Sequence, residues 1–166
     1  MGGESPEDPF ASLLDAHAGF VDKLTELEAT LDEMMALRDA SDANREVLDE
    51  AIRFFNDELL PHMRLEDEVV LPPLEAKIGR FGTLVNVVAY EHDEIRREVK
   101  KFREARVELE RSDDPWPGIQ ELNRHGIFTI QFLWDHFRKE KVSLFPTARE
   151  ELSRSDLEII RKRLAH

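Results

Sequence analysis

HMRLEDEVVLP (62–72) and HFRKEKVSLFP (136–146) are the two stretches on which the fold turns. Aligned from His62 and His136, they share His, Arg, Glu and Pro at the same four places. Each reads His-x-x-x-Glu, and each histidine stands ten residues ahead of a proline. Positions four apart share one face of an α-helix, so each stretch presents an imidazole and a carboxylate side by side. His17 and His92 repeat at almost the same offset, in LLDAHAGFVDKL and VVAYEHDEIRREV. The chain therefore reads as two copies of a helical hairpin, each supplying one His and one His-x-x-x-Glu.

Working outward, punctuation separates four amphipathic helices. Pro6, Asp8 and Pro9 set up the first, from about Phe10 to Arg38, and Asp39-Ala40-Ser41-Asp42 is a turn with Ser41 as N-cap. The second carries Val47, Leu48, Ile52, Phe55 and Leu59 on one side and is expected to end near Pro72-Pro73. Pro61 inside it should kink it or free the carbonyl of Asp57. Gly79 and Gly82 flank the next break. A third helix spans about Thr83 to Arg111, a loop covers Ser112 to Gly118, and a fourth helix runs from Ile119 to Phe145. Ser155 is the expected N-cap of a last helix ending near Leu164. Short connections between long helices make an all-α, up-down-up-down four-helix bundle with a short C-terminal helix. A single domain over 1–166 is expected, with a four-helix core at about 10–146 and an extension at about 147–166.

Composition agrees. The 166 residues carry 36 Asp+Glu against 23 Lys+Arg, a net charge of −13, with 36% charged residues and only seven glycines. Such a chain is helical and salt-bridged. It has no cysteine, which removes disulfides, thiol chemistry and iron–sulfur clusters. A pI near 4.9 argues against nucleic acid or an anionic membrane as partner. No apolar run approaches the roughly 18 residues of a membrane span. The start MGGESPEDPF is acidic, unlike a signal peptide, and Pro6 breaks the myristoylation pattern. The expectation is a cytoplasmic protein.

The spacing makes a sharper test. In an antiparallel hairpin, residues equidistant from the turn lie at one height. The midpoint of 17 and 62 is 39.5, that of 62 and 92 is 77, and that of 92 and 136 is 114. All three fall in loops assigned independently, so four histidines, one per helix, should share one level. They also lie on the apolar stripes: His17 with Leu13 and Leu24, His62 with Phe55 and Leu59, His92 between Val88 and Ile95, and His136 after Phe132 and Leu133. Glu66 and Glu140 share those stripes. Two buried carboxylates without partners would each cost several kcal/mol, on the order of a lost charge pair. As metal ligands they make sense.

Imidazole suits iron, zinc, copper and nickel, while carboxylate adds preference for iron or manganese. Four His and two Glu are too many for one tetrahedral zinc. A carboxylate can bridge, so His17, His62, Glu66, His92, His136 and Glu140 divide into a dinuclear centre. Each metal takes two histidines and shares the bridging oxygens. The expected cofactor is two iron ions with an oxo, hydroxo or water bridge, with manganese or zinc as lesser alternatives.

These residues resemble the hemerythrin-like (HHE, cation-binding) family, whose signature is His, then His-x-x-x-Glu followed by Leu-Phe-Pro or a variant. Here it reads His17; His62 with Glu66 and Val70-Leu71-Pro72; Glu91-His92; and His136 with Glu140 and Leu144-Phe145-Pro146, across about 10–150. The resemblance implies a non-haem di-iron centre that binds dioxygen, peroxide or nitric oxide. It departs from the oxygen carriers in having Arg96 where they carry a further histidine and Lys141 where they carry aspartate. That favours a sensor, scavenger or store over a reversible carrier, with no nucleic-acid or membrane partner. A redox enzyme using the same centre and a metal-free interaction bundle are the competing readings; the sequence offers no separate acid, base or nucleophile for the former.

Other residues read as ordinary. His125 and His166 break the repeat and are expected at the surface. Tyr90, Glu91 and Asp135 adjoin ligand positions and point about 100° away, which leaves them at most a bond to a histidine's other nitrogen. Arg96 is expected to turn outward. Met34, Met35 and the phenylalanines fill the core, Trp116 caps one end, and Glu104 to Arg111 is a solvated face.

Overall fold

The computed structural model describes residues 8–81 and 83–165. Pro6, Gly82 and His166, to which the sequence reading assigns roles, lie outside the described residues. Among those described there is no strand. Four antiparallel rods form the bundle. The first is α1 (Ala11–Leu37); the second is built from α2 (Asp42–Phe54), α3 (Leu60–Leu65) and α4 (Leu71–Ile78). The third is α5 (Leu84–Arg111), and the fourth joins α6 (Trp116–Lys139) to α7 (Phe145–Glu151); α8 (Arg154–Leu164) follows. Among the described residues, no helix is long and apolar enough to cross a membrane.

The ends follow from local chemistry. Ser41 caps α2 in a reciprocal box with Asn44, each side chain 3.0 Å from the other's backbone N–H. Arg38 takes the left-handed conformation (φ 55°) that ends α1, and its guanidinium lies 4.2 Å from the Trp116 ring centre. Gly79 (φ 82°) stops α4, a conformation for which glycine carries no steric penalty. The cap of α8 is Ser153, which accepts from Asp156 N–H at 3.0 Å, and not the expected Ser155.

Two rods run longer than expected, and their C-terminal extensions share one reason. The second continues through Pro72-Pro73 to Ile78, and the fourth starts at Trp116 and continues through Pro146 to Glu151. Wide π turns at Phe55–Leu59, Glu66–Val70 and Glu140–Leu144 precede Pro61, Pro72 and Pro146. In each, the residue before the proline donates to the carbonyl five back: Leu60 to Phe55, Leu71 to Glu66 and Phe145 to Glu140. A proline in an α-helix has no N–H and presses on the carbonyl four back. The wider turn makes room for the ring, so the rods pass Pro61, Pro72 and Pro146 without ending.

The core lies in two apolar layers. The larger gathers Phe20, Leu24, Leu31, Phe55, Leu59, Ile95, Phe102, Ile130 and Leu133. The smaller holds Phe10, Leu13, Val69, Leu74, Val88, Leu144, Phe145 and Ile160, the last delivered by α8. Burying a Leu or Phe contributes about 1.5–3 kcal/mol. Where α6 crosses the larger layer, a Cβ at Gly126 would meet Leu31 Cδ1 at 2.6 Å and Phe102 Cε2 at 3.1 Å, so both side chains would have to shift.

Candidate metal centre

Between the two layers lies a single polar stratum. His17 falls between Leu13 and Phe20, His92 between Val88 and Ile95, and His136 and Glu140 between Leu133 and Leu144. Each flanking residue belongs to one of the apolar layers. All six side chains are buried, with Glu66, His92 and Glu140 fully so. One histidine comes from each rod, at one level, although one of the three midpoints, 77, falls in the last turn of α4 and not in the loop expected there.

Their reactive atoms converge. The Nε2 atoms of His17 and His62 stand 3.2 Å apart, as do those of His92 and His136. Glu140 reaches both pairs, at 3.2 Å from His17 Nε2 and 3.3 Å from His136 Nε2. Glu66 does likewise, 3.5 Å from His62 Nε2 and 3.2 Å from His92 Nε2. Two groups of four result: His17, His62, Glu66 and Glu140, and Glu66, His92, His136 and Glu140, each with ligand atoms within 4.8 Å of one another. The two carboxylates belong to both. Metal–ligand bonds of about 2.1 Å place neighbouring ligand atoms roughly 3 Å apart, the spacing found here.

Behind one pair stand two further carboxylates. His92 Nδ1–H donates to Asp67 Oδ1 at 2.7 Å, and His136 Nδ1–H donates to Glu91 Oε1 at 2.8 Å. Arg96 holds Asp67, and Lys139 Nζ holds Glu91 at 2.5 Å. Burial raises both carboxyls, but His92 and Arg96 at Asp67, and His136 and Lys139 at Glu91, outweigh it, and both are lowered. A carboxylate only accepts, so these bonds fix the proton on Nδ1 and turn each neutral Nε2 lone pair toward the centre.

A neutral centre is then frustrated. At His92 and His136 the lone pairs of Nε2 face each other and face carboxylates, and the four oxygens of Glu66 and Glu140 are left without a hydrogen-bond donor. Buried acceptors without donors are costly. A cation resolves this, and a proton is the simplest. Burial opposes protonation of His92, yet Asp67, Glu140 and Glu66 raise it well above the usual histidine range. At His136 the same opposition is overcome by Glu140 and Glu91, which push it up to about 9. Glu140, despite the opposing effect of burial, is held well below the usual carboxylate range by His136, His17 and His92. The donor set fits a pair of metal ions better than protons, because all four oxygens and all four Nε2 atoms then find partners.

The remaining residues divide. Asp135 pairs with Arg138 at 2.6 Å and Lys139 at 3.1 Å, and the exposed Tyr90 bonds Glu94 at 3.3 Å. Arg96 turns away from the centre but anchors Asp67 and Asp93 instead of hanging free. His125 is a correction: it is buried, not exposed, between Glu98 at 2.9 Å and Glu121 at 3.2 Å. Its Glu121 partner lies one turn before it, a signal that a search for repeats passes over. Sequence reasoning misses Asp67 outright, since it matches nothing in the second copy; only its place beside Glu66 could have flagged it.

Set against known proteins, residues 8–148 match the sequence profile described as the hemerythrin HHE cation-binding domain. No curated protein matches the chain.

Proposed function

The chain belongs to the hemerythrin HHE cation-binding family, and from that premise we propose that it is a non-haem di-iron protein that binds dioxygen, peroxide or nitric oxide. The observation that carries this reading is the convergence of four imidazole nitrogens on two shared, wholly buried carboxylates without donors. His17 and His62 would hold one iron and His92 and His136 the other, with Glu66 and Glu140 spanning both. Bound there, an iron pair supplies redox electrons and open coordination positions for a small ligand.

The protein's own contribution is position and exclusion of water. Asp67 and Glu91 hold His92 and His136 with Nε2 inward. Phe137 stacks on His17 at 4.3 Å between ring centres, and Phe20 meets His62 edge-on at 5.1 Å. That aromatic wall suits an uncharged ligand. His17 and His62 are 8% and 7% exposed, against 0% and 1% for His92 and His136, which makes the His17–His62 side the less covered of the two. Surface clefts of about 240 and 480 Å³ share Asp67 and Arg96 in their walls, and neither includes any of the six residues. Burial of all six residues supports a diatomic or peroxide ligand over an organic substrate. The absence of cysteine supports a reducing cytoplasm as its place.

Elemental analysis of protein made in iron-sufficient medium and purified without chelator tests the reading. About two irons per chain, with a visible absorption change when the ferrous form meets air or nitric oxide, are expected. One zinc, or no metal, would overturn it.

A further inference from the structure

We infer that the two metal positions bind with unequal strength, the His92–His136 position tight and filled first, the His17–His62 position weak and exchangeable. The inference rests on the dinuclear reading above. It comes from comparing the two hairpins residue by residue. The repeat relates His17 to His92 and His62 to His136, so every neighbour of one pair has a counterpart beside the other.

The six ligand candidates survive this comparison, but the residues behind them do not. The shift that carries His62 onto His136 carries Asp67, the acceptor from His92, onto Lys141. The shift that carries His92 back onto His17 carries Glu91, the acceptor from His136, onto Ala16. The places from which a carboxylate would reach His17 and His62 therefore hold an ammonium and a methyl group. The anchors are gone too. Arg96 corresponds to Val21 and Lys139 to Leu65, and both of these apolar side chains are more than one-third exposed. Among the described residues, no carboxylate bonds Nδ1 of His17 or His62, whose rings rest on Phe137 and Phe20.

A carboxylate on a ligand's second nitrogen fixes its orientation and makes it a stronger donor, and losing one costs about 10- to 100-fold in metal affinity. Both histidines of one position have this support and neither of the other does. Occupancy of the second position then follows the free ferrous iron concentration while the first stays filled.

The test uses the full chain loaded with two ferrous ions under argon, then challenged with excess colorimetric ferrous chelator. Two release phases of equal amplitude are expected, differing at least about tenfold in rate. Asp67→Asn and Glu91→Gln should speed the slow phase and leave the fast one alone; a general loosening of the fold would speed both and overturns the assignment. Ala16→Glu with Lys141→Asp, which rebuilds the missing pair, should slow the fast phase. Two irons leaving in one phase would overturn the inequality and leave the dinuclear reading standing. Failure of the wild-type chain to take up iron would overturn the dinuclear reading itself, and this inference with it.

Discussion

The bundle contains two kinds of rod. α1 and α5 are unbroken helices and bring one histidine each to the polar stratum. The rods that pass through Pro72 and Pro146 are interrupted by wide turns, and each brings a histidine and a glutamate. In both, the wide turn begins at the glutamate, whose carbonyl accepts from the residue before the proline. The difference teaches that proline here does not end a helix. It marks where the backbone is spread, one turn beyond the histidine, at the residue common to both candidate ligand groups.

The largest effect should come from emptying the interrupted rods. Glu66→Ala with Glu140→Ala removes both shared carboxylates and should take the chain from two metals to none, whereas His17→Ala on an unbroken rod should leave one. Elemental analysis decides; equal losses would erase the distinction.

Next comes pH, acting on the metal-free protein. His136 is raised from an ordinary 6.5 to about 9. A raised folded-state value means stability fully present below about 6.5 and lost as pH rises through about 9. Thermal melts of metal-free protein should fall across that window, and metal uptake at pH 7 should release protons measurable in buffers of different ionisation enthalpy. A flat profile would mean that the histidines are not answering the carboxylates.

Gly126→Val probes the helical part of the fourth rod, away from its wide turn. Overpacking against Leu31 and Phe102 should cost about 1–3 kcal/mol in urea denaturation, with the metal content of folded protein unchanged. Smaller still, Pro146→Ala lets the wide turn compete with an ordinary one and should weaken metal binding on the order of tenfold by chelator competition. Pro61→Ala, at the one wide turn that carries no glutamate ligand candidate, should not; parity between the two would sink the link between proline and ligand placement. Smallest of all, Ser41→Ala should cost about 1 kcal/mol of stability and no metal.

Much of this is legible in the sequence because it is periodic. Helical stripes, the capped turn at Ser41 and a repeated histidine are regular signals, and equidistance from the turns puts four residues at one height before any coordinates. What escapes is whatever the repeat does not carry. Asp67 acts across rods on the back of His92, a relation with no fixed spacing along the chain; Glu91, to which the sequence left a bond with a histidine's second nitrogen, makes it with His136 on another rod. A solitary histidine such as His125 reads as solvent-facing until its partner on α5, Glu98, is known. The rod ends at Pro72 and Pro146 mislead because proline reads as a terminator, when a turn one residue wider absorbs it.

The polar stratum that separates the two apolar layers has a consequence for cooperativity. A core cut across by unsatisfied carboxylates is two cores in series, and the smaller one, with α4, α7 and α8, can open by itself. Metal bound across the cut joins them into one unfolding unit. In amide hydrogen exchange, the backbone of Leu74 and Ala148 should open at lower cost than that of Leu31 and Phe102 in the metal-free chain, and the gap should close on loading. The centre would then serve as the weld of the bundle as well as its chemistry.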